Sequence, residues 1–382
     1  SFTYSAFDGD AAFANCRFLK VSSLTGSSFN GKADFSGSNF KRPVSFIHTQ
    51  FGSIADFSRT QFSSAAYFSG CQFSGPTGFI GTIFVDYTEF FSSHFAGDVF
   101  FDRTYLGGDA NFIESSFSQG AEFNKTILNS EASFEGAHFA GSTRFLGAIF
   151  NDTAIFVSAQ FDGNTSIVQT LFKDQSIFSH TRFNKMVEFI DCSFHEETSF
   201  RESEFLIDAS FRNASFFGPS DFTASQFKGS VDFGGSRFME DADFCSVSFN
   251  GPADFSRSTF LERINLQDAE FKKNVHFESC RINTLNLTRS RYEWLFLHWD
   301  SLNHLEKDEQ AHQKLIDNYE RPQWETDLSE CRLACSNETT AENAKDYSWI
   351  MGLLDIDRLT KGFALLPDQI ADTKPTWSYG IE

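Results

Sequence analysis

The sequence is poor in basic residues, and this limits the partners that the chain can bind directly. It contains 31 lysines and arginines against 51 aspartates and glutamates, which gives a formal net charge of −20. Direct binding to a nucleic acid needs a basic face, so we expect none. The acidic balance suits solubility, a basic protein partner, or mimicry of a nucleic acid.

Long hydrophobic runs are also missing. No stretch of 18 or more apolar residues occurs, so we expect no membrane span in this chain. No signal peptide is visible, and the repetitive part begins at once, which leaves open whether a leader or a cap precedes Ser1. A cytoplasmic or membrane-proximal location is favoured, with the cell surface as the alternative. The Asn-x-Ser/Thr sequons do not decide between them.

The sequence contains little that points to catalysis. It has no Gly-rich phosphate loop, no zinc-type spacing of Cys and His, and no Gly-x-Ser-x-Gly motif. Of its seven cysteines, Cys331 and Cys335 lie four residues apart on a predicted helix, which is poor geometry for a disulfide. We therefore predict a protein that is not an enzyme and that holds no cofactor and no metal.

Phenylalanine, in contrast, is abundant and strictly placed. It recurs at alternating spacings of five and six residues from Phe2 to residue 282 and fills 46 of the 52 positions of this lattice, while Leu or Ile fills the rest. Two residues before each position the side chain is small or β-branched, as in Ala33, Thr49 and Cys71. These spacings match neither an α-helix nor a flat strand, and they predict a chain that turns a corner after each short extended side.

The segment Ala33-Asp-Phe-Ser-Gly-Ser-Asn-Phe40 carries this pattern and resembles the consensus of the pentapeptide-repeat family, in its variant with one extra residue in every second repeat. The resemblance implies an all-β solenoid, a right-handed quadrilateral β-helix with four sides per coil. Four sides make a coil of 22 residues, so residues 2–282 would form about 13 coils, ~4.8 Å apart. The predicted core ladder includes Phe35, Phe40, Phe46, Phe51, Phe57 and Phe62.

After residue 282 the spacing becomes five throughout, and Leu and Tyr replace Phe. We therefore expect the β-helix over residues 1–302, with a closing coil at about 283–302 that covers the last apolar layer. Residues 303–382 are predicted to form a small α-helical region that serves as a cap or a docking region. These predicted helices span 303–320, 323–336 and 342–365.

Residues 22 apart should stack, so the lattice assigns every outward side chain to a column. One column is apolar on five consecutive coils and polar before and after them; its residues are Ile83, Tyr105, Ile127, Ile149 and Leu171. Ile80, Leu146 and Val168 lie close to it in sequence. Because a contiguous exposed apolar strip usually marks an interaction site, we predict an interface here. The alternatives are β-branched residues that merely suit a strand, or a tail that folds back over the strip.

Stacked carboxylates form a second exterior pattern. The pairs are 22 residues apart and are Asp34 with Asp56, Asp221 with Asp243, and Asp232 with Asp254. Such pairs can bind a cation or act as an acid and a base, but Asp is also common at this position of the family that the chain resembles, and we favour that structural interpretation. His94 and His138 share a column two coils apart, too far for a shared metal.

We predict a non-enzymatic structural scaffold that binds another protein or copies of itself, through the apolar column or through the open end of the rod at Phe2. One alternative follows from the resemblance, since some pentapeptide-repeat proteins mimic acidic duplex DNA and bind topoisomerases such as gyrase. Another is the soluble part of an envelope-associated, channel-like or surface-assembly protein, because some relatives continue into helices and membrane-spanning segments.

Overall fold

A computed structural model describes residues 1–320 and 324–336 of the chain. The backbone of residues 1–305 winds into a parallel β-solenoid of about 14 turns with four short sides to each coil, and two short helices follow it. The predicted all-β solenoid of about 13 coils with a helical C-terminal region is therefore confirmed. All the described residues belong to one compact unit, formed by residues 1–339.

Nearly all strands are two residues long, and the strands of one face follow each other every 22 residues. The first and last strand therefore suffice to give the extent of each face. The first face runs from Ala6–Phe7 to Glu270–Phe271, and the second from Ala11–Ala12 to Val275–His276, followed by Leu295–Phe296. The third face runs from Arg17–Phe18 to Arg237–Phe238, and the fourth from Ser22–Ser23 to Ala242–Asp243. Longer strands then join the third and fourth faces at Thr259–Asn265, Arg281–Asn286 and Leu302–Leu305.

The phenylalanines of the lattice fill the inside of the coils. From Phe29 to Phe277 each of them is at most 4% exposed, including the six of the predicted core ladder. Rings one coil apart stack in parallel: the centroids of Phe62 and Phe84 are 4.7 Å apart, with 3° between the ring planes. Rings on adjoining faces meet edge to face. Burial of apolar surface on this scale is the main force that holds the solenoid together.

The corner after each second-face and fourth-face strand is a turn with one residue in the left-handed region. In Phe35-Ser36-Gly37-Ser38 the amide of Ser38 donates to the carbonyl of Phe35 at 3.1 Å, and Gly37 has φ 66°. These features define a type II turn. On most coils a residue other than Gly holds the same position; Arg103 and Lys125, for example, both have φ 56°.

One of the two inward small positions also makes hydrogen bonds. Three residues after the turn begins, most coils have a Ser, Thr or Cys whose side chain donates to the carbonyl of the lattice residue one coil below, while others have Ala or Val there. Thr82 Oγ1 donates to the Phe57 carbonyl at 2.7 Å, and Thr104 Oγ1 donates to the Phe79 carbonyl at 2.6 Å. Buried polar groups are tolerated when they are hydrogen-bonded in this way.

Two helices follow the last coil. Helix α1 (Glu309–Tyr319) begins at Asp308, whose carboxylate accepts from the Ala311 amide at 2.7 Å. Its Tyr319 is fully buried, and the hydroxyl donates to the Leu297 carbonyl at 2.9 Å. Helix α2 (Glu325–Ser336) packs beside the 3₁₀ turn Trp299–Ser301, and Asp327 accepts from the Trp299 amide. The helix predicted over 342–365 lies outside the described residues.

The first coil is more open than the rest. Phe2 is 41% exposed, and Phe7, Phe13 and Phe18 are half-buried. Among the residues that the structure describes, none forms a helix both long and apolar enough to cross a membrane.

Candidate interaction surface

The predicted apolar column lies on the outside of the third face, in continuous register. Its Cα atoms pair in the order Ile83, Tyr105, Ile127, Ile149 and Leu171, each with the next. We call these five residues the ridge. Each ridge residue precedes an inward Phe or Leu by one position, and alternation along the strand therefore places its side chain outside.

The ridge residues lie in register on adjacent coils, and their exposure is partial. Ile83, Tyr105, Ile127 and Ile149 are half-buried, whereas Leu171 is only 6% exposed. The structure thus leaves four ridge residues to form an apolar outer surface, with little contribution from Leu171. Polar side chains bound it, since Gln61 precedes Ile83 in the column and Ser193 follows Leu171.

Further apolar residues adjoin the ridge. Leu146 is 44% exposed, and Ile80 and Val168 are half-buried; all three lie at the turn that leads into the third face. Val85, 49% exposed, lies on the opposite side of the same face. The apolar surface is therefore wider than one column on the coils of Ile83 and Ile149.

From the coil of Ile83 onward, the loop that follows the third-face strand is acidic. It carries at least one carboxylate on every coil from that of Ile83 to that of Thr259 except one, and we call these residues the acidic corner. They are Asp86, Asp109, Glu131, Asp152, Asp174, Glu196, Glu197, Glu240, Asp241 and Glu262. All of them are exposed except Asp174, which is half-buried.

The turn that precedes each third-face strand differs in charge from the acidic corner. We call it the leading corner; over the ridge it comprises residues 80–81, 102–103, 124–125, 146–147 and 168–169. Arg103 and Lys125 lie here, at the left-handed position of the turn, and both are exposed. The ridge thus runs between an acidic corner on one side and a corner with two basic residues at its centre on the other.

The stacked aspartates have structural partners. Asp34 pairs in register with Asp56, Asp221 with Asp243, and Asp232 with Asp254. In each case one carboxylate oxygen accepts from the amide two residues further on, as in Asp56 with the Ser58 amide at 2.9 Å. These aspartates therefore fix the turn after their strand, in the manner of an Asx turn.

The histidines named from the sequence and the buried Cys192 lie in separate surroundings. His94 Nδ1 lies 2.7 Å from Ser116 Oγ, and His138 Nε2 lies 2.7 Å from Asp162 Oδ2. Cys192 is buried and donates to the Ile167 carbonyl, and burial raises the pKa of its thiol to about 12. Within residues 1–320 and 324–336, no three His, Cys, Asp or Glu side chains come together as metal ligands would.

Sequence reasoning missed the contrast between the two corners. The five-and-six lattice gives each corner residue a coil and a side, so a count of charges by column would have revealed the acidic corner. The hydrogen-bonded Ser and Thr column left a weaker signal, because both inward columns contain Thr, as at Thr77 and Thr82.

Comparison with known proteins agrees with this architecture. The family model described as pentapeptide repeats (9 copies) matches residues 24–71, 101–149, 233–281 and 246–291. No curated protein and no solved structure gives a match. The matched segments carry the Phe lattice, the paired small residues and the four-sided coil described above. The chain belongs to the pentapeptide-repeat family.

Proposed function

We propose that this protein is a non-enzymatic scaffold that associates with copies of itself through the ridge. The pentapeptide-repeat solenoid is consistent with a structural or protein-interaction role. Its interior is filled with Phe rings and hydrogen-bonded small residues, so recognition depends on the outer surface.

The observation that supports the ridge is its continuity. Large apolar side chains occupy the same outward position on five adjacent coils, whereas the equivalent positions of the first face carry Gln72, His94, Ser116, His138 and Gln160. An apolar strip with polar limits is typical of a surface that a protein partner covers.

The direct test is a pair of substitutions on the ridge. Tyr105→Ser with Ile127→Asp removes an aromatic anchor and places a carboxylate at the centre of the strip. Because burying an unpaired charge is strongly unfavourable, we expect self-association to weaken by more than tenfold, or about 1.4 kcal/mol. Light scattering over a concentration series measures this, and circular dichroism checks that the solenoid is intact.

A matched control places a charge on another face. Ser166→Asp lies on the second face beside Arg144, in the column where Asp34 and Asp232 occur naturally. This variant should associate as the wild type does. An unchanged mass for the ridge variant, with unchanged binding of any partner, would count against the proposal.

The acidic corner supports a second candidate, mimicry of duplex DNA towards a topoisomerase such as gyrase. Its carboxylates recur about every 4.8 Å along the coils, against about 3.4 Å between phosphates of one DNA strand. A supercoiling assay tests this with the wild type and with Asp109→Asn, Glu131→Gln and Asp152→Asn combined. Inhibition that the triple variant loses is expected; no inhibition at micromolar protein would exclude this candidate.

A further inference from the structure

We propose that two copies meet third face to third face as parallel, in-register solenoids. They are related by a twofold axis that lies between them, parallel to the coil axis, which is the direction in which the coils stack. This inference rests on the proposed self-association and adds its geometry. The occupant of the ridge is then the ridge of a second copy, and the charges at the two corners select the orientation.

At the centre of the ridge the exposed charges of the two corners differ in sign: the leading corner has Arg103 and Lys125, with the half-buried Asp102 hydrogen-bonded to Asn124, and the other corner has only carboxylates. On the coil of Ile127, Lys125 lies two residues before the ridge residue and Glu131 four residues after it; on the coil of Tyr105, Arg103 and Asp109 occupy the corresponding places. All four charged side chains are exposed. Within the described part of the chain, Lys125, Asp109 and Glu131 form no ion pair.

Symmetry turns this contrast into complementarity. A twofold axis parallel to the coil axis places the leading corner of one copy against the acidic corner of the other, on the same coil. Lys125 then faces Glu131 of the second copy, and Arg103 faces Asp109 of the second copy. Since each contact occurs twice, four ion pairs surround the apolar centre, which is the usual arrangement of a polar rim around a desolvated core.

The antiparallel alternative places like charges together. A twofold axis perpendicular to the coil axis and passing through Ile127 sets the acidic corner against itself, so Glu131 meets Glu131 of the second copy and Asp109 meets Asp152. Juxtaposed like charges suppress the wrong orientation. The apolar ridge fits both arrangements, because it is symmetric about Ile127; the corners distinguish them.

The same reasoning limits the extent of the contact. On the coil of Ser193 both corners are acidic, with Asp191 before the strand and Glu196 and Glu197 after it. A parallel pair would repel there, so the contact ends near Leu171. Five coils at about 4.8 Å each give a small interface, and we expect an association that is weak and concentration-dependent.

The test uses two variants that cannot pair with themselves but can pair with each other. Arg103→Glu with Lys125→Glu makes both corners acidic, and Asp109→Lys with Glu131→Lys makes both corners basic. The backbone accepts these residues, because Glu114 and Glu202 hold the same turn position and Lys32 the equivalent corner position after a first-face strand. Sedimentation velocity should show each variant associating more than tenfold more weakly than the wild type, while an equimolar mixture forms dimers again.

The outcomes distinguish failure of the parallel geometry from failure of the proposed self-association. If the wild type dimerises but both variants dimerise equally well alone, the parallel geometry is wrong and self-association stands. If the wild type stays monomeric at all accessible concentrations, the proposed function itself fails. Should a charge variant not fold, Gln61→Cys gives a second measurement: a parallel pair cross-links 61 to 61, whereas an antiparallel pair cross-links only when Ser193→Cys is also present.

Discussion

At the scale of single residues, the large and the small side chains of the interior have different roles. The Phe columns supply the buried apolar surface, and Leu106 and Leu128 continue one column in register between Phe84 and Phe150. The sequence predicts this ladder because the period is unbroken over many coils. Its two inward small columns look alike, however, and only the turn geometry shows that one of them faces a carbonyl group.

The hydrogen bond of Thr82 can be tested against a neighbouring Thr with a different partner. Thr82→Val removes the donor to the Phe57 carbonyl and should lower stability by about 1 kcal/mol. Thr77→Val is the matched control, because the Thr77 hydroxyl donates to the Gly75 carbonyl within its own coil. Val99 already occupies the same column on the next coil. Urea unfolding compares the two midpoints. Equal losses would show that the inter-coil hydrogen bond contributes nothing.

Close stacking at the corner after the first face requires glycine at position 141. A Cβ there would overlap the carbonyl of Gln119, one coil below, and that backbone cannot move without disturbing its own coil. Gly141→Ala should therefore destabilise the solenoid by about 1–3 kcal/mol. Gly9→Ala is the control, because no atom lies within 4 Å of its added Cβ. Thermal unfolding of both variants measures the difference; a neutral Gly141→Ala would contradict the close-contact explanation.

At the scale of elements, the closing region shows where sequence reasoning stopped. A helix was expected from residue 303, but Leu302–Leu305 forms a last strand that pairs with Arg281–Asn286, and α1 begins at Glu309. A spacing of five residues predicts a further coil only where a neighbouring coil is available for strand pairing. The strand pairing here was hidden because Asn303 and His304 interrupt the apolar pattern, whereas the Asp308 cap is a local signal that a sequence reading can use.

The buried Asn318 of α1 attaches this helix to the last coil. Its side-chain amide donates to the Leu295 carbonyl at 2.9 Å, and its side-chain oxygen accepts from the Leu295 amide at 3.2 Å. Asn318→Ala leaves two buried backbone groups without these partners, at about 1–3 kcal/mol for each group. Hydrogen exchange of the Leu295 amide should therefore accelerate. Gln313→Ala, on the exposed side of α1, should leave that exchange rate unchanged; acceleration in both variants would indicate general loosening of the helix.

At the scale of the whole molecule, many repeats specify the fold, whereas the proposed function depends on a small part of the surface. The Phe lattice predicts short extended sides with a corner after each, and its resemblance to pentapeptide repeats implies the four-sided solenoid. The lattice also predicts that Ile127 and its neighbours lie on adjacent coils of one face. The lattice does not predict what covers them, because packing between copies depends on how Lys125 and Glu131 are placed around the ridge and on how strongly the net charge of −20 opposes association.

The central claim is that the third face is where two copies meet. A benzophenone amino acid placed at position 105 reports this directly, because it captures only groups within contact distance. After irradiation of mixed unlabelled and nitrogen-15-labelled protein that carries this substitution, mass spectrometry should find mixed-isotope cross-links from position 105 to third-face peptides that contain position 105 or Ile127. Cross-links confined to other faces, or none between copies at concentrations where the protein is dimeric, would contradict the account.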